Sequence, residues 1–184
     1  MTAYCIVMEQ AITVADLGND TLVTGQGGSG DAVQSCSVII MFNTVTHAAG
    51  LYHYPAGDIT RRPKAQLLIK AMAKAVKPDL CCVAYGVAAG SEGMDMVLGG
   101  GSTVRTTPSD PFSTALKDHL FSLVPDCGKF KRMPANTGVV TFSQNQGAPV
   151  YGNQTINCTD LSGAGAGNHG QYAIYWAHDK AKKK

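Results

Sequence analysis

The sequence predicts an α+β or mixed α/β domain in which hairpins alternate with two helices. Three observations carry that expectation. Short runs rich in Val, Ile, Phe and Tyr recur between polar or glycine-bearing breaks, the pattern of strands and hairpins. Two stretches with apolar residues at helical spacing each begin at a proline, Pro63 and Pro111. One continuous apolar run, Leu80-Cys81-Cys82-Val83-Ala84-Tyr85-Gly86, has the length of a strand buried on both faces.

Taken in order, residues 4 to 8 and 11 to 15 read as short strands or one bent strand, and Leu22-Val23-Thr24 as another. The glycine-rich stretch Gly25-Gln26-Gly27-Gly28-Ser29-Gly30-Asp31 then leads into a hairpin. Its arms lie within Ser35-Cys36-Ser37-Val38-Ile39-Ile40-Met41-Phe42 and Ala49-Gly50-Leu51-Tyr52-His53-Tyr54-Pro55, on either side of a polar break at Asn43-Thr44-Val45-Thr46. From Pro63 a helix runs to just before Pro78, with Leu67, Leu68, Met72, Ala75 and Val76 as its apolar stripe. Gly86 to Gly101 reads as a functional or mobile loop. Ser109-Asp110-Pro111 starts a second helix with a capping residue and an early proline; Phe112, Ala115, Leu116, Leu120 and Leu123 form its buried face, and it ends near Pro125. Lys129–Met133 and Gly138–Phe142 suit strands. Ser143-Gln144-Asn145-Gln146-Gly147 suits a turn into Ala148-Pro149-Val150-Tyr151. Residues 1–162 are expected to form the domain, and 163–184 a flexible glycine-bearing linker and basic extension, to which Gln171–Trp176 could add a last strand.

Bulk properties narrow the class. A chain of 184 residues with 45% hydrophobic and 15% charged residues fits one globular domain. Its net charge of +2 is partly confined to the last five residues, Lys180-Ala181-Lys182-Lys183-Lys184. The remaining Lys and Arg are scattered, so no nucleic-acid partner is expected. Met1–Glu9 has neither the basic start nor the apolar stretch of a secretory leader, and no run approaches a membrane span. Six cysteines without a CxxC pair, two of them adjacent at Cys81 and Cys82, point to a reducing, cytoplasmic setting, that of the producing cell or of a host. Cys127 with Cys158 is the pairing kept open if the protein is secreted.

The pair that carries chemistry is Cys36 and His53. If the hairpin loop is the four residues 43 to 46, opposed positions sum to 89, and Cys36 faces His53 across the ladder with Cβ atoms ~5 Å apart. An imidazole at that distance can deprotonate a thiol, the first requirement of a cysteine nucleophile. The competing reading is a small buried cysteine and an incidental histidine. Against it, Cys36 follows a glycine-rich loop, where free N–H groups can stabilise an oxyanion, and His53 lies near the end of its strand at Tyr54-Pro55.

Other constellations are weaker. His47 lies at the hairpin tip; His119 falls on the second helix; His169 and His178 belong to the tail. The Gly25–Gly30 stretch lacks the Lys-Ser/Thr ending of a phosphate loop, and Glu92, Asp95 and Asp110 form no ligand set with a histidine, so neither a cofactor nor a metal is expected. Asn153-Gln154-Thr155 matches a glycosylation sequon, which matters only after secretion.

The segment Ser35-Cys36-Ser37-Val38-Ile39-Ile40-Met41-Phe42 … Ala49-Gly50-Leu51-Tyr52-His53 resembles the CheD family of chemoreceptor glutamine deamidases. That family has Gly-Ser-Cys, an apolar strand, a turn and Gly-Met-X-His, with the same separation of Cys and His; Gln34 stands here in place of the glycine. Glutamine-deamidating bacterial toxins, such as the cytotoxic necrotising factors, share the arrangement. The order of elements is similar over roughly residues 20 to 152. The resemblance implies mixed β-sheets or a sandwich with two main helices packed on them. It also implies a protein-glutamine deamidase with Cys36 as nucleophile, His53 as base, no cofactor, and a protein substrate with an exposed glutamine. The family usually carries a Thr six residues before the nucleophile to orient the histidine. Gly30 occupies that position here, and Ser29, Asp31 or a backbone carbonyl are the candidates for the role. The alternatives are a cysteine peptidase or transglutaminase-like acyltransferase using the same pair, or a non-catalytic binding module.

Overall fold

The computed structural model describes residues 1–26, 32–33, 36–55, 59–85, 96–97, 116, 118–120, 122–123 and 138–177. The expected strand at 129–133, the loop at 86–101 (apart from 96–97), the start of the second helix and Cys127 lie outside the described residues.

Among the described residues, twelve strands form two sheets. The smaller contains β1 (Ala3–Ile6), β3 (Thr21–Thr24), β8 (Val140–Asn145), β9 (Ala148–Gly152) and β10 (Thr159–Asp160), in the order β10-β1-β3-β8-β9. The larger contains β2 (Gln10–Val14), β4 (Ser37–Phe42), β5 (Ala49–Tyr54), β6 (Leu80–Tyr85), β7 (Met96–Val97), β11 (Gly167–Asn168) and β12 (Tyr172–Trp176), in the order β11-β12-β2-β5-β4-β6-β7. The larger sheet is antiparallel throughout; in the smaller, β1 runs parallel to β10 and β3.

The alternating side chains of the strands explain the layering. Ile12, Val38, Ile40, Phe42 and Leu51 of the larger sheet pack against Tyr4, Ile6, Leu22, Val140 and Phe142 of the smaller. The other face of the larger sheet, with Ala11, Ile39, Met41 and Tyr52, is covered by helix α1 (Pro63–Val76) and by helical residues Leu116 and Leu120. The architecture is a mixed α/β sandwich of two sheets and two helices, mostly strand. Cys81 and Cys82 follow the alternation, one under the helices and the other between the sheets, which is why β6 reads as a continuous apolar run.

Helix α1 has the expected bounds but a rotated stripe. Ala65, Leu68, Ile69, Met72 and Val76 are buried, whereas Leu67 is 67% exposed and Ala75 is exposed. Apolar residues occur on both candidate faces, so periodicity alone does not choose between them. Seating is close at Gly50, where a Cβ would stand 2.8 Å from Met72 Cγ. The hairpin β8–β9 turns on Gln146-Gly147, both with positive φ (50° and 78°), so Ser143–Asn145 belong to β8 rather than to the turn.

The expected linker over 163–184 is corrected between residues 167 and 176. There β12 pairs with β2 along five residues, from Tyr172↔Val14 to Trp176↔Gln10, and buries Ile174 in the inter-sheet core. The reversal from β11 into β12 lies at Gly170 (φ 86°), closed by the His169 N–H donating to the Tyr172 carbonyl at 2.8 Å. Among the described residues, no helix is long and apolar enough to cross a membrane.

Candidate active site

The β4–β5 hairpin is shifted from the arithmetic expected of it. Phe42 pairs with Ala49 and Val38 with His53, so opposed positions sum to 91 rather than 89. Asn43 causes the shift. Its N–H donates to the Ala48 carbonyl (2.9 Å), extending the ladder by one pair. Its side-chain Oδ1 accepts from the N–H groups of Val45 (3.0 Å) and Thr46 (2.9 Å). The turn is therefore Thr44–His47, and His47 closes it with φ 59°. The position opposite Cys36 is Pro55, not His53, and the two candidate residues are diagonal neighbours. A displacement of two keeps the alternation, so both remain on the same face of the sheet. Diagonal neighbours stand roughly 7 Å apart, still within reach of aromatic and long side chains.

That face is the one between the sheets. Cys36, just before β4, is 8% exposed, and His53, near the end of β5, is 0% exposed. The residues that surround them come from strand ends gathered at one end of the sandwich. Thr24 ends β3 of the smaller sheet, and Ile6 ends β1 beside it in register. Directly after Thr24 the chain turns at Gly25 (φ 82°), where a Cβ would lie 1.9 Å from the Gly138 carbonyl oxygen. No other residue type fits there.

Thr24 is the orienting group that sequence reasoning did not find. Its Oγ1 lies 2.8 Å from His53 Nδ1 and donates its own proton to the Ile6 carbonyl at 2.9 Å. With that proton committed, Oγ1 can only accept from the ring. His53 is then the neutral Nδ1–H tautomer, and Nε2 carries the lone pair. Burial pushes the imidazole down to about 4, so the ring is neutral over the physiological range. A neutral imidazole with a fixed tautomer is a base, not a standing cation. Thr24 lies twelve residues before Cys36 rather than six, with the glycine-rich stretch filling the difference. The available signal was a threonine at a strand end directly before glycine. Gly30, Ser29, Asp31 and Ser35 lie outside the described residues.

The β1–β2 turn, Val7–Gln10, lies against Cys36. Met8 sits at its tip, 42% exposed, and the Cys36 thiol donates to Met8 Sδ at 3.7 Å. Glu9 follows with φ 70°; its N–H donates to the His53 carbonyl at 2.9 Å, and its carboxylate pairs with Arg62. Arg62 in turn lies over the Tyr54 ring, 5.5 Å from the centroid.

Of the other histidines, His178 lies outside the described residues and the rest are elsewhere. His47 stacks on Phe42 at the opposite end of the hairpin and faces Asp16 at 4.0 Å. His119 is on the second helix, and His169 hydrogen-bonds the Gly165 carbonyl on the surface. Among the described residues, no group of three or more His, Cys, Asp or Glu could hold a metal ion. Comparison with models of known families, with curated proteins and with solved structures finds no match to this chain.

Proposed function

We propose that this protein is a protein-glutamine deamidase in which Cys36 is the nucleophile, His53 the base and Thr24 the group that orients it. The observation that carries the reading is the Thr24–His53 hydrogen bond. It commits Nδ1 to a hydroxyl on the opposite sheet and leaves the lone pair on Nε2, on the same buried face as the Cys36 thiol.

The chemistry follows from that tautomer. His53 Nε2 takes the thiol proton as Sγ attacks the carboxamide carbon of a substrate glutamine. The tetrahedral intermediate collapses, the C–N bond breaks, and the imidazolium returns its proton to departing ammonia. The neutral ring then takes a proton from water. The resulting hydroxide adds to the thioester, and the C–S bond breaks to give glutamate and the thiol. Because His53 is neutral before attack, the proton moves during the step, as in general-base catalysis; no preformed ion pair with the thiol is needed. The product bears a new negative charge, which alters the partner's contacts.

The test is mass spectrometry of candidate protein substrates incubated with the enzyme. Deamidation adds about one dalton at a glutamine. Cleavage would identify a peptidase, and an added amine an acyltransferase. If substrates captured by the Cys36→Ala variant come back unchanged from the wild-type protein, the enzymatic reading fails and the binding-module reading takes its place.

A further inference from the structure

We propose that Met8 determines specificity by providing an apolar seat for a hydrophobic residue next to the substrate glutamine; this rests on the deamidase reading. The turn that carries Met8 is held from several sides. Gln10 N–H donates to the Val7 carbonyl (3.1 Å), and the Gln10 side chain accepts from Val7 N–H (3.1 Å) and donates to the Leu161 carbonyl (2.8 Å). Glu9 occupies the third position of this turn with φ 70°, a conformation that favours glycine. It is kept there by the bonds of its N–H to the His53 carbonyl and of its own carbonyl to Ala177 N–H (3.0 Å), and by the Arg62 ion pair. A non-glycine residue persists in that region only where its surroundings over-determine it.

The consequence is that Met8 is fixed at its backbone beside the thiol. Its thioether touches the thiol while much of its apolar surface faces solvent. Because Met8 Sδ lies 3.7 Å from the Cys36 thiol, a group bonded to that sulfur comes within reach of this side chain. Methionine has three rotatable bonds and packs on varied shapes, so it can move off the thiol and still contact the occupant. A hydrophobic flanking residue gains by covering it. A charged one would lose water with no partner in return.

The experiment measures alkylation of Cys36 in the full chain, read on the Cys36 peptide by mass spectrometry. Each rate is normalised to that of free cysteine. In the wild type, N-phenylmaleimide is expected to exceed iodoacetamide by about tenfold, the effect of covering roughly 50 Å² of apolar surface. Met8→Lys should abolish the excess and Met8→Leu should keep it. An excess unchanged in Met8→Lys overturns the proposal. In a second arm, ammonia release is followed from acetyl-Leu-Gln-Gly-amide and acetyl-Asp-Gln-Gly-amide. The wild type should prefer the first, and Met8→Lys should raise KM for it more than it changes kcat; an unaltered preference also overturns the proposal. If neither the peptides nor protein substrates captured by the Cys36→Ala variant are turned over while the alkylation excess is present and lost in Met8→Lys, the apolar seat stands and the deamidase reading falls.

Discussion

Strand β5 sends Tyr52 and Tyr54 under the helices and Leu51 and His53 between the sheets. Each face buries polar groups, by different means. On the helix side, burial pushes the Tyr52 phenol up, and its hydroxyl has no hydrogen-bond partner among the described residues. Nearby, the Glu9–Arg62 ion pair is closed by contact with Tyr54. A paired charge of this kind is held by its partner. On the inter-sheet side, His53 is tied to a neutral hydroxyl that fixes its tautomer and leaves its charge state open to the reaction. One face therefore uses its polar groups to hold a turn; the other holds a neutral imidazole on the same face of the sheet as a thiol.

The largest expected effect would break that contrast at once. Cys36→Ala and His53→Ala should each lower ammonia release roughly 10³-fold or more, as loss of a nucleophile or its base does. If either variant keeps full activity, both faces are merely structural and the assignment is lost.

Acid stability comes next. The folded-state pKa of His53 lies near 4, below the unfolded value near 6.5. The unfolded chain therefore binds more protons between those values. The buried neutral ring contributes its stability above about pH 6.5 and loses it as pH falls toward 4. The drop attributable to this residue should be roughly 3 kcal/mol. Urea midpoints at pH 7 and 4.5 test it against His53→Asn, which should lack that part of the decline. An equal decline in both proteins would mean that His53 is not held neutral by burial.

Thr24→Val separates orientation from burial. It keeps the volume, strands the ring N–H and the Ile6 carbonyl, and should cost about 1–3 kcal/mol of stability. Activity should fall roughly 10²-fold, and Thr24→Ser should retain most of it. Activity undiminished in Thr24→Val would show that the tautomer is set by something else.

How far the sequence leads depends on how local each feature is. The strands β2, β4, β5 and β6, the bounds of α1 and the last strand were legible because each reports its own burial pattern. The hairpin pairing was legible only to within two residues, since the side chain of Asn43, not the apolar pattern, decides where the chain turns. The common face of Cys36 and His53 survived because that displacement is even. Thr24 was not legible as a partner of His53. The two lie twenty-nine residues apart and on different sheets, joined through the parallel pairing of β1 and β3, for which no periodic signal exists. The strand β12 was visible in Gln171–Trp176, but its place beside β2 follows from an edge that only the folded sheet presents.

The smallest effect sharpens the comparison from the helix side. Tyr52→Phe removes a buried hydroxyl without a partner among the described residues and leaves the ring in its T-shaped contact with Tyr54 at 5.8 Å. Dropping an unsatisfied polar group while keeping the shape should leave stability unchanged or raise it by up to about 1 kcal/mol. Ammonia release should be unaltered, because the opposite face of the same strand holds the base. Thermal unfolding and initial rates check both expectations. A loss of more than about 1 kcal/mol would mean that the hydroxyl is bound in solution, and a loss of activity would mean that the two faces of β5 are coupled through the Glu9 turn, whose N–H already holds the His53 carbonyl.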